Sequence, residues 1–499
     1  MRKKNVVWCG ADFTHFCMLY YLQKKLDADF YCIADITPNV KDFFNTQKLV
    51  NFKKIWFFHD HITKFTNPDI DYLAAFEKKY KINLWNLALN ERMFYRFNDF
   101  HKFTRDEILS IYQQACVLFE NIINEVKPDF FITKETAFHH LELFYEMCLK
   151  SGIQSLMLNQ PNLGKRSMIS KKCRIPDYMS KRKKRISKNR DFHELQQYLE
   201  SLNTSESLKN YLEQHANSKL DLLKAFLIFM TSNNSSIHTN YNYFGRTKIK
   251  VLSNEILIRF KKANRRNFIN KNLVQSMNSS KKFVYFPLSV DMERNLLIGS
   301  PYFTNQIELI KNIAQSLPVE YSLFVKENPS QESREWRSTY DYKRILEIPN
   351  VTLFHPSFSS KNLIESCSLL VTIGGSSGLE ATFYGKPSIV FSDVGYSTLP
   401  SVFKVENTQN LPQIIKKALK TKVNSSDLDQ YLHSLEKEMF SYDTFNFASI
   451  LKNKLYLGGN LHDIKISESD IMSIINTQKD TLELLAEEHL KKIKRMPKN

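Results

Sequence analysis

The chain is 499 residues long, too much for one hydrophobic core, so two or more domains are expected. Its composition is globular, with 42% hydrophobic residues and 37 Phe and 23 Tyr to fill large cores. The formal charge of +18 favours anionic partners (nucleic acid, an anionic membrane face, acidic sugars or nucleotides) without choosing among them, and heavy use of Lys, Asn and Ile accounts for most of the excess without any function. Seven scattered cysteines with no Cys-x-x-Cys spacing suit reduced thiols in a cytoplasmic protein. Asp12 and His15 interrupt the apolar start, so it does not read as a signal peptide. No window is apolar for long enough to cross a bilayer; the longest candidate, 222–230, is far too short.

Strand and helix patterns alternate from the start. Residues 5–10 (NVVWCG) read as a strand, and Asp12 is placed to cap the helix that carries Phe16, Leu19, Leu22 and Leu26. Residues 30–35 (FYCIAD) and 55–60 (IWFFHD) read as the second and third strands. Thr104 caps a long helix over 105–126, and 128–133 (PDFFIT), 138–150 and 153–159 read as strand, helix and strand. That rhythm predicts an open parallel sheet, a first Rossmann-like domain over 1–164. Composition shifts at Lys165. A basic run from Lys181 to Arg190, followed by helical periods at 193–202, 208–230 and 249–268, predicts a basic helical insertion over 165–280. Strand rhythm resumes at 282–287 (KFVYFP), with further strands at 321–326, 351–354 and 402–405 and helices at 304–315, 361–367 and 411–419. These predict a second Rossmann-like domain over 281–457, and 458–499 reads as a charged helical tail.

The chemistry concentrates in residues 369–393, LLVTIGGSSGLEATFYGKPSIVFSD, which read as strand, small-residue turn, helix and strand. Only 12 glycines occur in the chain, and Gly374, Gly375 and Gly378 sit together here with Ser376 and Ser377. Glycines let a ligand approach the backbone, serines add donors, and a new helix offers unspent N–H groups, so the turn is suited to a phosphate. Glu380, in the first helical turn, is placed to reach a ribose or sugar hydroxyl. A turn that is glycine-rich only for close packing is the other reading open at this point.

With these residues on the page the chain resembles a known family. Residues 286–297 (FPLSVDMERNLL), 302–318, 324–330 (FVKENPS), 348–391 and the Gly395-Tyr396 step, in that order, resemble the capsule polysaccharide biosynthesis family, which includes bacterial Kdo transferases that start capsule linkers. The resemblance covers roughly the second domain. It implies an α/β, GT-B-like architecture of two Rossmann-like domains, with a nucleotide-sugar donor (CMP- or UDP-linked) held on the second domain and no metal or other cofactor. It implies donor contacts from Lys326, Asn328, Gly374, Gly375, Ser376, Ser377, Gly378 and Glu380. In that family the strand ending at Lys326 normally leads into Glu-His-Pro, and the His contacts the nucleotide; here the triplet is Glu327-Asn328-Pro329. Ser289 likewise stands where a His usually follows Pro-Leu. Asn328 can hydrogen-bond but cannot carry a charge. His355-Pro356 lies one strand later, where the family varies.

An inverting transferase needs a base for the acceptor hydroxyl and donors for the leaving phosphate. Strand ends of the first domain offer Glu135 as the leading candidate, with Asp12, His15 and Asp35 beside it. Asp12 also reads as a plain helix cap. His59-Asp60-His61 and His139-His140 invite a metal reading, but no third ligand falls at a recognised spacing. The run from Lys181 to Arg190 reads as a solvated flank, then as a dock for an anionic membrane surface; no nucleic-acid module accompanies it. The sequence therefore predicts a glycosyltransferase acting on a glycan or lipid-linked acceptor in cell-surface polysaccharide synthesis, cytoplasmic and peripheral at the inner face of the membrane. A UDP-sugar 2-epimerase and an inactive nucleotide-sugar-binding scaffold are the alternatives.

Overall fold

The computed structural model describes residues 2–62, 65–161, 163–177, 190–202, 219–277 and 282–495. The chain divides into two compact units. The first comprises Met1–Asp177, Asn203–Val251 and Glu438–Asn499, and the second Tyr178–Leu202 and Leu252–Lys437.

The first unit is built on a seven-stranded sheet. Its strands are β1 (Lys3–Gly10), β2 (Ala28–Asp35), β3 (Phe52–Phe57), β4 (Phe130–Lys134), β5 (Gln154–Asn159), β6 (Ser167–Ser170) and, from far along the chain, β13 (Met439–Phe440). The spatial order is β13-β6-β5-β4-β1-β2-β3. The strands from β5 to β3 run parallel, and β6 and β13 extend the sheet antiparallel. β1 reads as a continuous apolar run because both its faces are covered. Val7 and Cys9 face one core, with Phe13, Phe16 and Leu19; Val6 and Trp8 face the other, with Ile111, Phe119 and Phe144. The direction of winding reverses between β1 and β4, so the ends of those two strands form the switch point where α/β sheets bind ligands.

Two features of this unit differ from the sequence reading. The third strand stops at Phe57, and Phe58–His61 is a single 3-10 turn, so His59 and His61 do not alternate along a strand. The segment 458–499 is no appended tail. Helices Glu468–Thr477 and Lys479–Arg495 bury Ile471, Ile474, Leu482, Leu485, Ala486 and Ile493 in the first core. Their apolar stripe at helical spacing does the covering, and their buried cation, Lys492, is paired with Asp177 and Glu438.

The second unit carries a six-stranded, all-parallel sheet ordered β12-β11-β10-β7-β8-β9. Its strands are β7 (Lys282–Pro287), β8 (Tyr321–Lys326), β9 (Val351–Phe354), β10 (Leu369–Thr372), β11 (Ser388–Val390) and β12 (Val402–Lys404). Here the winding reverses between β7 and β10. The ends of β7, β8 and β10 carry the Ser289, Asn328 and Gly/Ser segments respectively, so three stretches far apart in sequence share one edge of the sheet.

The α/β class and the two Rossmann-like sheets expected of a GT-B-like chain are present. The four-part domain division is not. The helix Phe192–Ser201 joins the second unit, where Gln196 donates to the Phe383 carbonyl at 3.1 Å. Residues Asn203–Val251 belong to the first unit. The physical reason is plain. The described helices of 165–280 bury few side chains (Leu195, Ala225, Tyr241, Ile269), which is too little for a core of their own. The basic residues 181–189 lie outside the described residues. Arg190 is described, and it is committed to Asp429 and Glu436. All seven cysteines are buried and free. Among the described residues, no helix is long and apolar enough to cross a membrane.

Candidate functional site

The turn after β10 begins where the strand can no longer hold side chains. A Cβ on Gly374 would lie 2.0 Å from Ser392 Oγ, and one on Gly378 would lie 2.6 Å from the Tyr396 hydroxyl. Both glycines are thus required by packing, and their φ angles are ordinary. Tyr396 also donates its hydroxyl to the Gly375 carbonyl at 2.5 Å, which ties the Gly395-Tyr396 step to the turn. Gly375 N–H donates to Thr372 Oγ1 at 3.2 Å. Gly378, Leu379 and Glu380 N–H groups donate back to Gly375 and Ser376 carbonyls.

What remains unspent defines the site. Among the described residues the N–H groups of Ser376 and Ser377 and the Ser377 hydroxyl have no partner, and both residues are partly exposed. The two serines are not equivalent, because Ser376 Oγ donates to Glu380 Oε1 at 2.8 Å. Burial pushes the Glu380 carboxyl above its ordinary value, with the Ser376 hydroxyl pulling the other way. The turn therefore offers two backbone donors and one free hydroxyl to an anion, beside a carboxyl for a sugar hydroxyl.

Lys326 closes β8 on the same edge. It is buried, its ammonium reaching only the Glu327 carbonyl at 3.4 Å. Burial pushes it down to about 8, against the pull of Glu327. Glu327 is fully buried and structural: its carboxylate accepts from Arg337 Nε at 2.9 Å, the Tyr342 hydroxyl at 2.8 Å and the Asn328 N–H at 2.7 Å. Arg337 also pairs with Asp291. Asn328 Oδ1 accepts the Ser330 N–H at 3.0 Å and so caps the short 3-10 turn that Pro329 starts. Among the described residues its amide Nδ2 has no partner, and it is the donor that Asn328 can offer a ligand. At Ser289 both backbone groups are held by Gln306, at 2.8 and 2.9 Å. The loops that depart from the family pattern are therefore fully wired into the fold.

In the first unit the switch point holds two ion pairs. Asp12 follows β1 and pairs with Lys134 Nζ at 2.9 Å; the N-cap of the next helix is Phe13, not Asp12 as expected, although Asp12 accepts the Thr14 N–H at 2.9 Å from one position earlier. Burial works against ionisation there, but the Lys134 charge and the Thr14 N–H outweigh it and hold the carboxyl below its ordinary value. Glu135 follows β4 and is held in a two-point pair by Arg174, Nε to Oε1 at 3.0 Å and Nη2 to Oε2 at 3.2 Å. His15 turns the other way, into the core, edge-on to His489 with ring centroids 5.7 Å apart. Burial pushes it down to about 3, helped by His489. It is a buried core histidine, held neutral by its surroundings.

The histidine pairs are brought together with a carboxylate instead of a metal. Asp35, at the end of β2, accepts from His59 Nε2 at 3.0 Å and His140 Nε2 at 2.8 Å. Among the described residues no group of His, Cys, Asp and Glu is arranged to hold a metal ion. The sequence separations, 24 and 105 residues, hide this cluster: Asp35 ends β2 and His59 follows β3, but His140 lies inside the helix after β4.

Residues 196–434 match the capsule polysaccharide biosynthesis protein family. The matched segment takes in the Gly/Ser turn, Lys326 to Pro329 and Gly395-Tyr396, the stretches that carried the resemblance. No curated protein matches the chain. Among solved structures the chain is similar to the Thermosulfurimonas dismutans KpsC beta Kdo 2,7 transferase, at 12% identity over 72% of this chain and 89% of that one, with a TM-score of 0.31. It is also similar to the Methanocaldococcus jannaschii UDP-GlcNAc 2-epimerase in complex with UDP-GlcNAc and UDP, at 12% identity over 87% and 99%, with a TM-score of 0.26. A third likeness is the N-terminal domain of Candida albicans trehalose-6-phosphate phosphatase, at 12% over 95% and 97%, with a TM-score of 0.28.

Proposed function

We propose that this protein is a glycosyltransferase that moves a sugar from a CMP- or UDP-linked donor to a glycan or lipid-linked acceptor in capsule or cell-surface polysaccharide synthesis. The observation that carries the reading is the turn after β10. Inside a segment that matches the capsule family, it keeps two unspent N–H groups and the Ser377 hydroxyl at a sheet switch point. These donors would hold the donor phosphate. Lys326, cationic over most of the neutral range, would offset the charge that develops on it. Glu380 would take a ribose or sugar hydroxyl, and the Asn328 amide the nucleotide. Such donors and cations make a metal unnecessary for leaving-group stabilisation, and the reading is of a metal-independent enzyme. Nucleotide sugars place the reaction in the cytoplasm, and a lipid-linked acceptor would draw the protein to the inner membrane face, with Lys181 and its neighbours supplying charge and Arg190 excluded by its ion pairs.

The full chain, incubated with CMP-, UDP- and GDP-sugars with and without acceptor glycans, tests this. Transfer that requires acceptor supports it. Sugar isomerisation without acceptor indicates a 2-epimerase, and no product with any pair indicates a binding scaffold. The wiring of Glu327, Asn328 and Ser289 into the fold favours a retained pocket over a decayed one, since each of those groups still serves the loop that frames it.

A further inference from the structure

The helix Lys219–Thr231 of the first unit (KLDLLKAFLIFMT) turns its apolar side chains outward. Ala225 is buried, while Leu220, Leu222, Leu223, Phe226, Leu227 and Met230 are between 42% and 69% exposed. At about 100° per residue, the exposed set covers roughly 160° of the circumference, from Leu222 round to Leu220. Ile249, in the same unit, is 81% exposed. Single exposed apolar side chains are ordinary. A contiguous set on one helix marks a surface that meets something apolar.

The segment around this helix is cationic. Between residues 219 and 251 the chain carries Lys219, Lys224, Arg246, Lys248 and Lys250 against Asp221 alone. Lys248 Nζ donates to the Met230 and Ser232 carbonyls at 2.6 and 2.9 Å, which puts a positive charge at the end of the apolar helix. The breadth of the apolar face and the sign of the charge choose the occupant. A partner helix covers a narrow seam, and a second copy of this chain, itself at +18, brings the same charge to the contact. A bilayer with anionic headgroups covers a wide face and attracts the cations around it. With 13 residues the helix is about 20 Å long, and no helix among the described residues is long and apolar enough to cross a membrane. Its length and its one-sided exposure suit the plane of the interface.

We propose that the helix Lys219–Thr231 docks the first unit on an anionic lipid bilayer. It lies along the interface, with Leu223, Leu227, Met230 and Phe226 among the acyl chains. Lys219 and Lys224 run their methylene stems along the same face and set their ammonium groups against headgroup phosphates. The docking needs no transfer activity, and it places the membrane contact on residues other than the basic run 181–190.

The test uses the full chain and vesicles of phosphatidylcholine, alone or with an equal part of phosphatidylglycerol. The parent should float with the anionic vesicles, and bind them less but still measurably at about 0.5 M salt, where headgroup attraction is screened. The double variant Leu223→Ser, Leu227→Ser loses two side chains that are exposed in the protein, so its thermal midpoint should match the parent's. Its vesicle affinity should fall about tenfold or more. All seven cysteines are buried, so Leu223→Cys gives a thiol that takes an environment-sensitive dye selectively. The dye should shift to the blue on anionic vesicles, and a dye on Val319→Cys, a fully exposed position of the second unit, should not. A parent that binds neither vesicle overturns the proposal. Parental affinity in the folded double variant, or an unshifted dye at 223, overturns it even where the parent binds, and leaves the docking to the run from Lys181. So does a thiol at 223 that does not react, because another part of the protein then covers the helix. A double variant that changes oligomeric state but keeps its vesicle affinity assigns the face to a second copy instead. None of these results bears on sugar transfer, which the donor and acceptor assay reads separately.

Discussion

Ser376 and Ser377 are neighbours of the same type, yet the fold gives them different work, and that difference is measurable. Ser377→Ala removes a hydroxyl with no partner among the described residues, so the folded state should lose little. A bound phosphate would lose one hydrogen bond to a charged group, about 1.5–3 kcal/mol. At about 1.4 kcal/mol per decade this weakens nucleotide binding roughly 10- to 150-fold. Ser376→Ala removes a hydroxyl already donated to Glu380. Its expected effect is on the turn: about 1 kcal/mol of stability and a further upward push on the Glu380 carboxyl, with a smaller loss of phosphate affinity. Calorimetric titration of both variants with CMP, UDP and GDP and their sugars, at one fixed salt concentration, reads the asymmetry directly. Gly378→Ala serves as a steric control, because its new Cβ would press on Tyr396 and displace the turn. Parental affinity for every nucleotide in folded Ser377→Ala would refute the phosphate assignment. Equal losses in the two serine variants would refute the reasoning that separates them.

Three further outcomes follow from the same geometry. Lys326, pushed down to about 8, should lose its charge as pH rises through that value, so donor affinity should fall above about pH 8 and Lys326→Met should show a flat profile; matching slopes would remove Lys326 from the site. His15 and His489 are held at about 3 and about 4 by burial, below the unfolded value of about 6.5, so the unfolded chain binds protons first. Stability should therefore be lost as pH falls below about 6.5, by on the order of 1.4 kcal/mol per pH unit for each histidine, and His489→Phe should flatten the acid limb of Tm against pH. Asn328→His should fold normally and change donor affinity: a gain, largest below about pH 6.5, would mark a weakened family-type pocket, a loss would mark one retuned to another nucleotide, and an unchanged affinity for every donor would place residue 328 outside the site.

Local signals carried most of the fold. The helix Arg105–Val126 is legible to the residue because Thr104 and Glu107 form a reciprocal capping box, a device written in four consecutive positions. The Gly/Ser turn was legible for a related reason: strand, turn and helix lie within one short stretch. Signals failed where the deciding contact is distant. Residues 55–58 form an unbroken apolar and aromatic run, and nothing within it marks the end of β3 at Phe57. Charged residues are interspersed through 458–499, and the stripe of Ile471, Ile474, Leu482 and Leu485 has meaning only once a sheet exists for it to cover. Helices of 165–280 looked like a domain because they are contiguous, yet contiguity without a shared apolar face gives no core.

The site shows the same limit more sharply. Glu327-Asn328-Pro329 looks like a damaged Glu-His-Pro when read as a string. In the fold, Asn328 caps the next turn by accepting the Ser330 N–H, and His355 does the same for Ser357, at 3.1 Å, ahead of Pro356. Asn-Pro and His-Pro thus satisfy the same backbone, so exchange at this position costs the loop little and leaves the ligand-facing atom free to vary. That separates two demands the sequence presents as one: the cap is structural and present here, while the contact expected of residue 328 with a donor is a separate, chemical demand. The Asp35 cluster is the converse. Its members carry no motif, and only the adjacency of β2 to β3, with the helix that follows β4 returning beside them, gathers two imidazoles onto one carboxylate. Because both sheets present their chemistry at the ends of strands, strand order decides which residues can act together, and strand order is what a single sequence does not write down.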